Sequence, residues 1–208
     1  GLGGNLFGQR LGASGEPIGG AIPIGQGDKP GLTYNRVSGE YLVTWASGTA
    51  QAARVRPDGS VVGGIALSAP GGGRNFSKVA SDSAGGYMAV WEGPDGGENL
   101  SNVFGRELSA TGEPRSIQLT LDDRPSSGQL LYPAMAYNAQ ANVYLIAWES
   151  RIEGEQAVRA RIYQPAPPPP GPSGLVNGDF EDGFYPLMGQ SIAYGWAPFT
   201  LVGKPSFA

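Results

Sequence analysis

The chain has 208 residues, including 35 glycines and 18 prolines, and its formal net charge at pH 7 is −4. It contains no cysteine and no histidine, which excludes disulfides, zinc–thiolate sites and Ser-His-Asp hydrolysis. The acidic charge argues against nucleic acid as a partner, and no apolar run approaches the roughly 18 residues of a membrane span. With 40% hydrophobic residues, this composition predicts an all-β chain of short strands and many turns.

The first predicted elements are two short strands in residues 5–25, joined by a turn at Ser14-Gly15. Residues 6–17 (LFGQRLGASGEP) align without a gap with residues 103–114 (VFGRELSATGEP). Asp58-Gly59 and Thr111-Gly112 occupy the same place in two further copies. Glycine at such turns supplies the positive φ that a tight hairpin needs.

A second repeated feature is the pattern Tyr-x-x-x-Trp, which occurs at Tyr41–Trp45, Tyr87–Trp91 and Tyr144–Trp148. Each copy alternates with the period of a strand. The residues between the tyrosine and the tryptophan are also largely apolar. Strands that are apolar on both faces are typical of sheets packed between two neighbouring layers.

Together these patterns predict four-stranded antiparallel units at residues 28–68 and 74–120, three strands at 131–163 and a half unit at 5–25. Four strands at this period are typical of a β-propeller blade. Residues 1–164 are therefore predicted to form thirteen strands of a propeller, and the propeller could lack some of the blades that it needs to close. The first two strands could complete the last blade, or the missing strands could come from other blades or from another subunit.

The repeat resembles bacterial extracellular propeller repeats of the form P-x-x-A-Y-N … Y-L-V-x-W … G-R-x-L-x-x-x-G. Residues 133–138 (PAMAYN) and Tyr144–Trp148 carry the first two parts, and Arg106 matches the third, where Gln9 and Ala53 depart from it. The resemblance implies a propeller fold and a location outside the cell or at the cell surface. It implies no activity, because propellers serve many functions.

Residues 165–173 contain six prolines and are predicted to be an extended linker. After them, residues 175–184 (LVNGDFEDGF) resemble the opening strand of bacterial jelly-roll carbohydrate-binding modules, and Gly195-Trp196 matches a frequent G-W of that family. The resemblance implies a partial jelly-roll-like segment at 174–208. It also implies that Glu181, with Asp179 nearby, could help to hold a structural calcium ion; the alternative is a solvated acidic turn.

The tail at 174–208 is too short to bury its aromatic residues alone. It is either the stub of a severed domain or a donor of strands to an exposed sheet edge. Tyr185, Tyr194 and Trp196 are therefore the candidate ligand or interface residues.

Catalytic candidates are limited to carboxylates. Glu92 and Glu149 each follow a repeated tryptophan, and repeat equivalence interprets them as strand-end polar residues. Asp95 and Asp122 fall in turn-like stretches and are expected to be solvated. Arg10, Arg54 and Arg161 are expected to share one exposed strand position, which Glu107 takes in the remaining copy.

These observations favour a non-catalytic extracellular or cell-surface scaffold or adhesive protein. One form of it is a subunit of an extracellular fibre, assembled through strand edges or the tail. The alternatives are a carbohydrate-binding module and a propeller-type glycosidase. The expected partners are further copies of the chain or a larger parent chain, and glycans. No cofactor is expected apart from the structural calcium.

Overall fold

The computed structural model describes residues 4–72, 75–95, 100–122 and 128–165, together with two strands at 184–187 and 190–193. The chain divides into two compact units, Gly1–Pro165 and Ala166–Ala208. The described part contains strands and turns but no helix, which confirms the all-β prediction.

The first unit contains thirteen strands within its described residues, as the sequence predicted. They are β1 Asn5–Leu11, β2 Pro17–Gln26, β3 Asp28–Asn35, β4 Glu40–Ala46, β5 Ala50–Val55, β6 Val61–Ala66, β7 Asn75–Ser81, β8 Tyr87–Pro94, β9 Ser101–Leu108, β10 Leu119–Thr120, β11 Gly128–Asn138, β12 Val143–Ile152 and β13 Glu155–Tyr163.

Consecutive strands pair antiparallel and form three blades. The first blade is β3-β4-β5-β6, the second is β7-β8-β9-β10, and the third is β11-β12-β13. Strands β1 and β2 form a separate hairpin. One parallel pair, Gln129 beside Ser101, connects the third blade to the second. The first strand of each blade is irregular at the same place, where two residues lie between successive paired positions.

The turn glycines have the conformation that the sequence predicted. Gly15, Gly59 and Gly112 have φ values of 89°, 91° and 85°, a region that side-chain-bearing residues rarely adopt. The amide of Gly59 donates to the carbonyl of Arg56 at 2.9 Å, and Gly112 makes the same bond to Ser109. These tight turns return the third strand of a blade to its fourth.

Each blade has two apolar faces, and where two blades are neighbours the faces between them pack together. The front face carries the tyrosine and tryptophan of the Tyr-x-x-x-Trp pattern and the residue midway between them, and the back face carries the two residues that alternate with these. The front face of the second blade packs against the back face of the first, and the front face of the third blade packs against the back face of the second. The prediction of strands sandwiched between layers is confirmed for these contacts.

The first of these cores contains Leu42, Ala50, Ala52 and Leu67 from the first blade and Tyr87, Trp91, Phe104 and Leu108 from the second. The second contains Met88, Val90 and Val103 from the second blade and Tyr144, Ile146 and Trp148 from the third. Burial of this much apolar surface is the main stabilising contribution that the fold has.

Burial also raises the pKa of two phenols of the third blade. Desolvation, with the charge of Asp82 second, raises the pKa of Tyr144 far above its usual value. Desolvation also raises the pKa of Tyr163 to about 12, and Glu107 contributes through its charge and a hydrogen bond. The shift keeps both phenols uncharged at pH values where an exposed tyrosine would begin to ionise.

The β1–β2 hairpin does not complete the third blade. It packs Leu6 and Ile24 against Val43 and Trp45, on the front face of the first blade. The order of layers is therefore hairpin, first blade, second blade, third blade, and the sheets do not close into a ring. One predicted alternative, closure of the last blade by the first two strands, is wrong for this structure.

The predicted equivalence of the arginines is also wrong in part. Arg54 and Glu107 do occupy the same back-face position, opposite Leu42 and Met88. In the third blade that position, opposite Leu145, belongs to Ile162. A register difference of one residue moves a side chain to the opposite face, so Arg161 lies on the front face. Glu107 is moreover buried, so the shared position is not uniformly exposed.

In the second unit, two strands are described, β14 Phe184–Leu187 and β15 Gln190–Ala193. They pair antiparallel, with Leu187 beside Gln190.

Candidate functional site

The N-terminal groove lies between the β1–β2 hairpin and strands β3 and β4, the first two strands of the first blade. It has a volume of about 710 Å³. Its floor is the front face of the first blade at Leu32, Tyr34, Tyr41 and Val43, and β1 forms one side. The groove is mainly apolar, which is typical of a surface that binds another apolar surface.

Comparison of Tyr41 with the equivalent tyrosines of the other two blades shows that its exposure is unusual. Tyr41, Tyr87 and Tyr144 lie at the start of the second strand of the three blades, as its first or second residue. Tyr87 and Tyr144 are each 1% exposed, whereas Tyr41 is 41% exposed. Tyr34 and Tyr41 pack together with ring centroids 5.1 Å apart, and Tyr137 and Tyr144 do the same at 4.9 Å. The pair at the groove therefore has the geometry of a blade core, but no layer in the described part of the chain covers it as Tyr87 and Tyr144 are covered.

The opposite end of the row exposes the back face of the third blade. This face carries Leu145 and Ala147 on β12, with Val158, Ala160 and Ile162 opposite on β13. Leu145, Val158 and Ile162 are among the exposed large hydrophobic residues of the chain. Glu149 lies on the same face, and Arg151 donates a hydrogen bond to it. The row of blades thus has an apolar surface at each end.

The two candidate glutamates do not form a pair. Glu92 lies on the back face of the second blade, where the third blade covers it, and it is buried. Glu149 lies on the back face of the third blade and is half-buried. The sheet of the third blade separates them. Paired-carboxylate chemistry needs both groups to flank one bond, and this arrangement does not provide that.

A polar cluster between the second and third blades was missed by the sequence analysis. Asp122, expected to be solvated, is buried and accepts a hydrogen bond from the indole Nε1 of Trp148 at 3.3 Å. The amide of Asn102 donates to the carbonyl of Asp122 at 3.2 Å and to the carboxylate of Asp95 at 3.1 Å. The neighbouring blade, which no local pattern reveals, removes Asp122 from solvent.

The other predicted site residues lie outside the described residues or are known only by their backbone. Asp179, Glu181, Tyr194 and Trp196 fall outside, and Tyr185 lies in the backbone of β14. The calcium and glycan hypotheses that rest on them remain predictions. In the described ranges there is no group of three or more acidic residues that could hold a metal ion.

The groove residues Leu32, Tyr34 and Tyr41 were not singled out from the sequence. They are ordinary blade residues by pattern, and only the number and order of layers reveals that no described layer covers them fully. The sequence signal for this groove was the half blade at residues 5–25, which contains the third and fourth strands of a blade without the first and second.

The part of the chain that the structure describes has no helix that could cross a bilayer.

Comparisons with known proteins give limited similarity. No protein-family model matches the chain, and no curated protein matches it. Among solved structures, the chain is similar to a GH43 endo-arabinanase from Bacillus licheniformis, with 11% identity and a TM-score of 0.37. The match covers 72% of this chain, which spans 60% of the length of that protein.

This neighbour is a β-propeller protein and an enzyme. The prediction that the chain is not an enzyme is contradicted by this comparison and is withdrawn. An identity of 11% and a TM-score of 0.37 are too low to transfer that protein's activity. What the described residues establish is an all-β row of propeller-like blades that does not close.

Proposed function

We propose that the chain is a scaffold or adhesive protein that associates with other protein surfaces through the open ends of its row of blades. The observation that carries this proposal is the exposure of apolar side chains at both ends, in the N-terminal groove and on the back face of the third blade. Uncovered sheet surfaces of this kind recruit partners.

Two further features support association. The free edge of β13 pairs with no strand on its outer side in the described residues, and an unpaired edge offers a row of backbone donors and acceptors. Arg10, on β1 at the groove, donates to the carbonyl of Pro57 at 3.0 Å. That bond fastens the hairpin to the first blade and gives the groove a fixed wall.

A location outside the cell or at the cell surface is part of the proposal. It is supported by the resemblance of the repeat, through residues 133–138 and Tyr144–Trp148, to bacterial extracellular propeller repeats. The partners proposed are other copies of the chain or a larger parent chain.

The experiment is light scattering on the full chain over a wide range of protein concentration. Apolar surfaces at both ends should bring copies together, so the mean mass should rise with concentration, and the rise should persist at high salt because the contact is apolar rather than ionic. A mass equal to that of one chain at every concentration would contradict self-association as the function.

A further inference from the structure

The two open ends of the row carry complementary halves of one repeated contact. Inside the chain, the back face of each blade is covered by the front face of the next. The two ends therefore expose different surfaces: a back face at the third blade and a front face at the hairpin.

The exposed front face of the hairpin consists of Phe7 and Leu11. In the gapless alignment of residues 6–17 with 103–114, they correspond to Phe104 and Leu108 of the second blade. Phe104 is 7% exposed and lies in the core shared with the first blade, whereas Phe7 is 57% exposed. The opposite side of the hairpin, with Leu6, already packs on the first blade. The hairpin therefore packs one face on the first blade and leaves the other face, with Phe7 and Leu11, exposed.

The exposed back face of the third blade has its own buried counterpart. By strand register, Val158 occupies the position of Ala50 in the first blade, because each pairs with the residue after the blade tryptophan. Ala160 likewise occupies the position of Ala52. Ala50 and Ala52 are fully buried in the core that contains Phe104 and Leu108, whereas Val158 is 82% exposed.

We infer that the back face of the third blade, at Val158, Ala160 and Ile162, docks on the hairpin face of a second copy, at its Phe7 and Leu11. The contact repeats the one between the first and second blades, in which Ala50 and Ala52 pack with Phe104 and Leu108. Within the described residues of one copy both surfaces are exposed at once, and in the proposed contact a second copy supplies the match for each.

The chemistry of the two surfaces fits this contact. Both are apolar at their centres, and the carboxylate on the third-blade face, Glu149, is already bonded to Arg151. The contact is head to tail, since the two surfaces differ, and such contacts generate rings when the rotation closes and fibres when it does not. The inference rests on the proposed function and names its partner and its two surfaces.

The test uses one variant of the full chain for each surface. Phe7→Asp blocks the hairpin face, and Val158→Asp blocks the third-blade face. Both side chains are exposed, so the variants should fold, and circular dichroism checks this. Each variant alone should associate at least about tenfold more weakly than the wild type, because a carboxylate would be desolvated in the contact. Ile117→Asp changes an exposed residue away from both surfaces and should leave association unchanged.

Mixing the two blocked variants distinguishes a head-to-tail contact from other modes. Each variant retains one intact surface, and the two intact surfaces are complementary, so the mixture should form dimers and stop there. Association that both variants retain would overturn the inference while leaving the proposed function in place, and would move the contact elsewhere, for example to residues 174–208. A mixture that stays monomeric would also overturn it. A wild type that never associates would contradict self-association, on which the inference rests.

Discussion

Replacing Trp91 with alanine is expected to lower the free energy of unfolding by about 3–5 kcal/mol. Trp91 is fully buried between the first and second blades. Its ring packs on Phe104 with centroids 6.4 Å apart, and its indole Nε1 donates to the carbonyl of Gly72 at 3.1 Å. The alanine variant would lose these contacts and leave both a cavity and an unsatisfied carbonyl.

Urea denaturation followed by far-UV circular dichroism measures this loss. A domain of this kind has a total stability of about 5–15 kcal/mol, so the variant should unfold at a much lower urea concentration. Ile117→Ala removes an exposed apolar side chain and should change stability by less than about 0.5 kcal/mol. If the two variants unfolded at the same urea concentration, Trp91 could not be the centre of an interblade core.

The second large effect is expected at Asn35. Its side-chain amide donates to the carbonyl of Gly85 in the second blade at 2.7 Å. Its Oδ1 accepts from the amides of Val37 and Ser38 at 2.9 and 3.3 Å. Because Asn35 is fully buried, Asn35→Ala would leave several polar groups without partners, and we expect a loss of about 2–3 kcal/mol.

Asn138 is a matched control within the same repeat. Its Oδ1 accepts from the amides of Gln140 and Ala141 at 3.0 and 3.1 Å, as Asn35 does in its own turn. Asn138 is exposed, since no blade follows the third in the described residues. Asn138→Ala should therefore cost no more than about 1 kcal/mol. Equal losses in the two variants would show that the bond to Gly85 contributes nothing and would contradict the packing of the first two blades.

Sequence periodicity was sufficient to predict the strands and turns. The alternation at Tyr41–Trp45 and its two copies specifies which residues share a face, because the side-chain period of a strand is fixed. The glycines at the blade turns specify where the chain reverses. These local signals produced the correct number of strands in the first unit and the grouping into blades.

The pairing register of the third strand was harder to predict in the third blade, because its connecting turn differs in length from those of the first two blades. The loops between the second and third strands of the first two blades are longer than that of the third, where Ile152 pairs with Glu155 across Glu153 and Gly154. Both turn residues have positive φ, 53° and 83°, as in the two-residue hairpin turns that match strand twist. This tight turn fixes a register that places Val158 and Ile162 on the open back face.

Which surfaces remain uncovered could not be predicted from any single segment. Tyr41 and Tyr87 have the same local pattern, yet one lies in a groove and the other in a core. Their difference comes from the order of the layers, and hence from where the hairpin packs. The same non-local cause explains why Asp122 is buried although its sequence context resembles a solvated turn.

The most direct measurement is the labelling rate of single cysteines at Ala52 and Ala160, two equivalent back-face positions. The chain has no cysteine of its own, so a thiol reagent reports on the new residue alone. At low protein concentration the Ala160→Cys variant should react nearly as fast as it does in denaturant, whereas the Ala52→Cys variant should react at least about a hundredfold more slowly, since access requires opening of the packed blades. Equal rates at the two positions would contradict the row of blades with an open end.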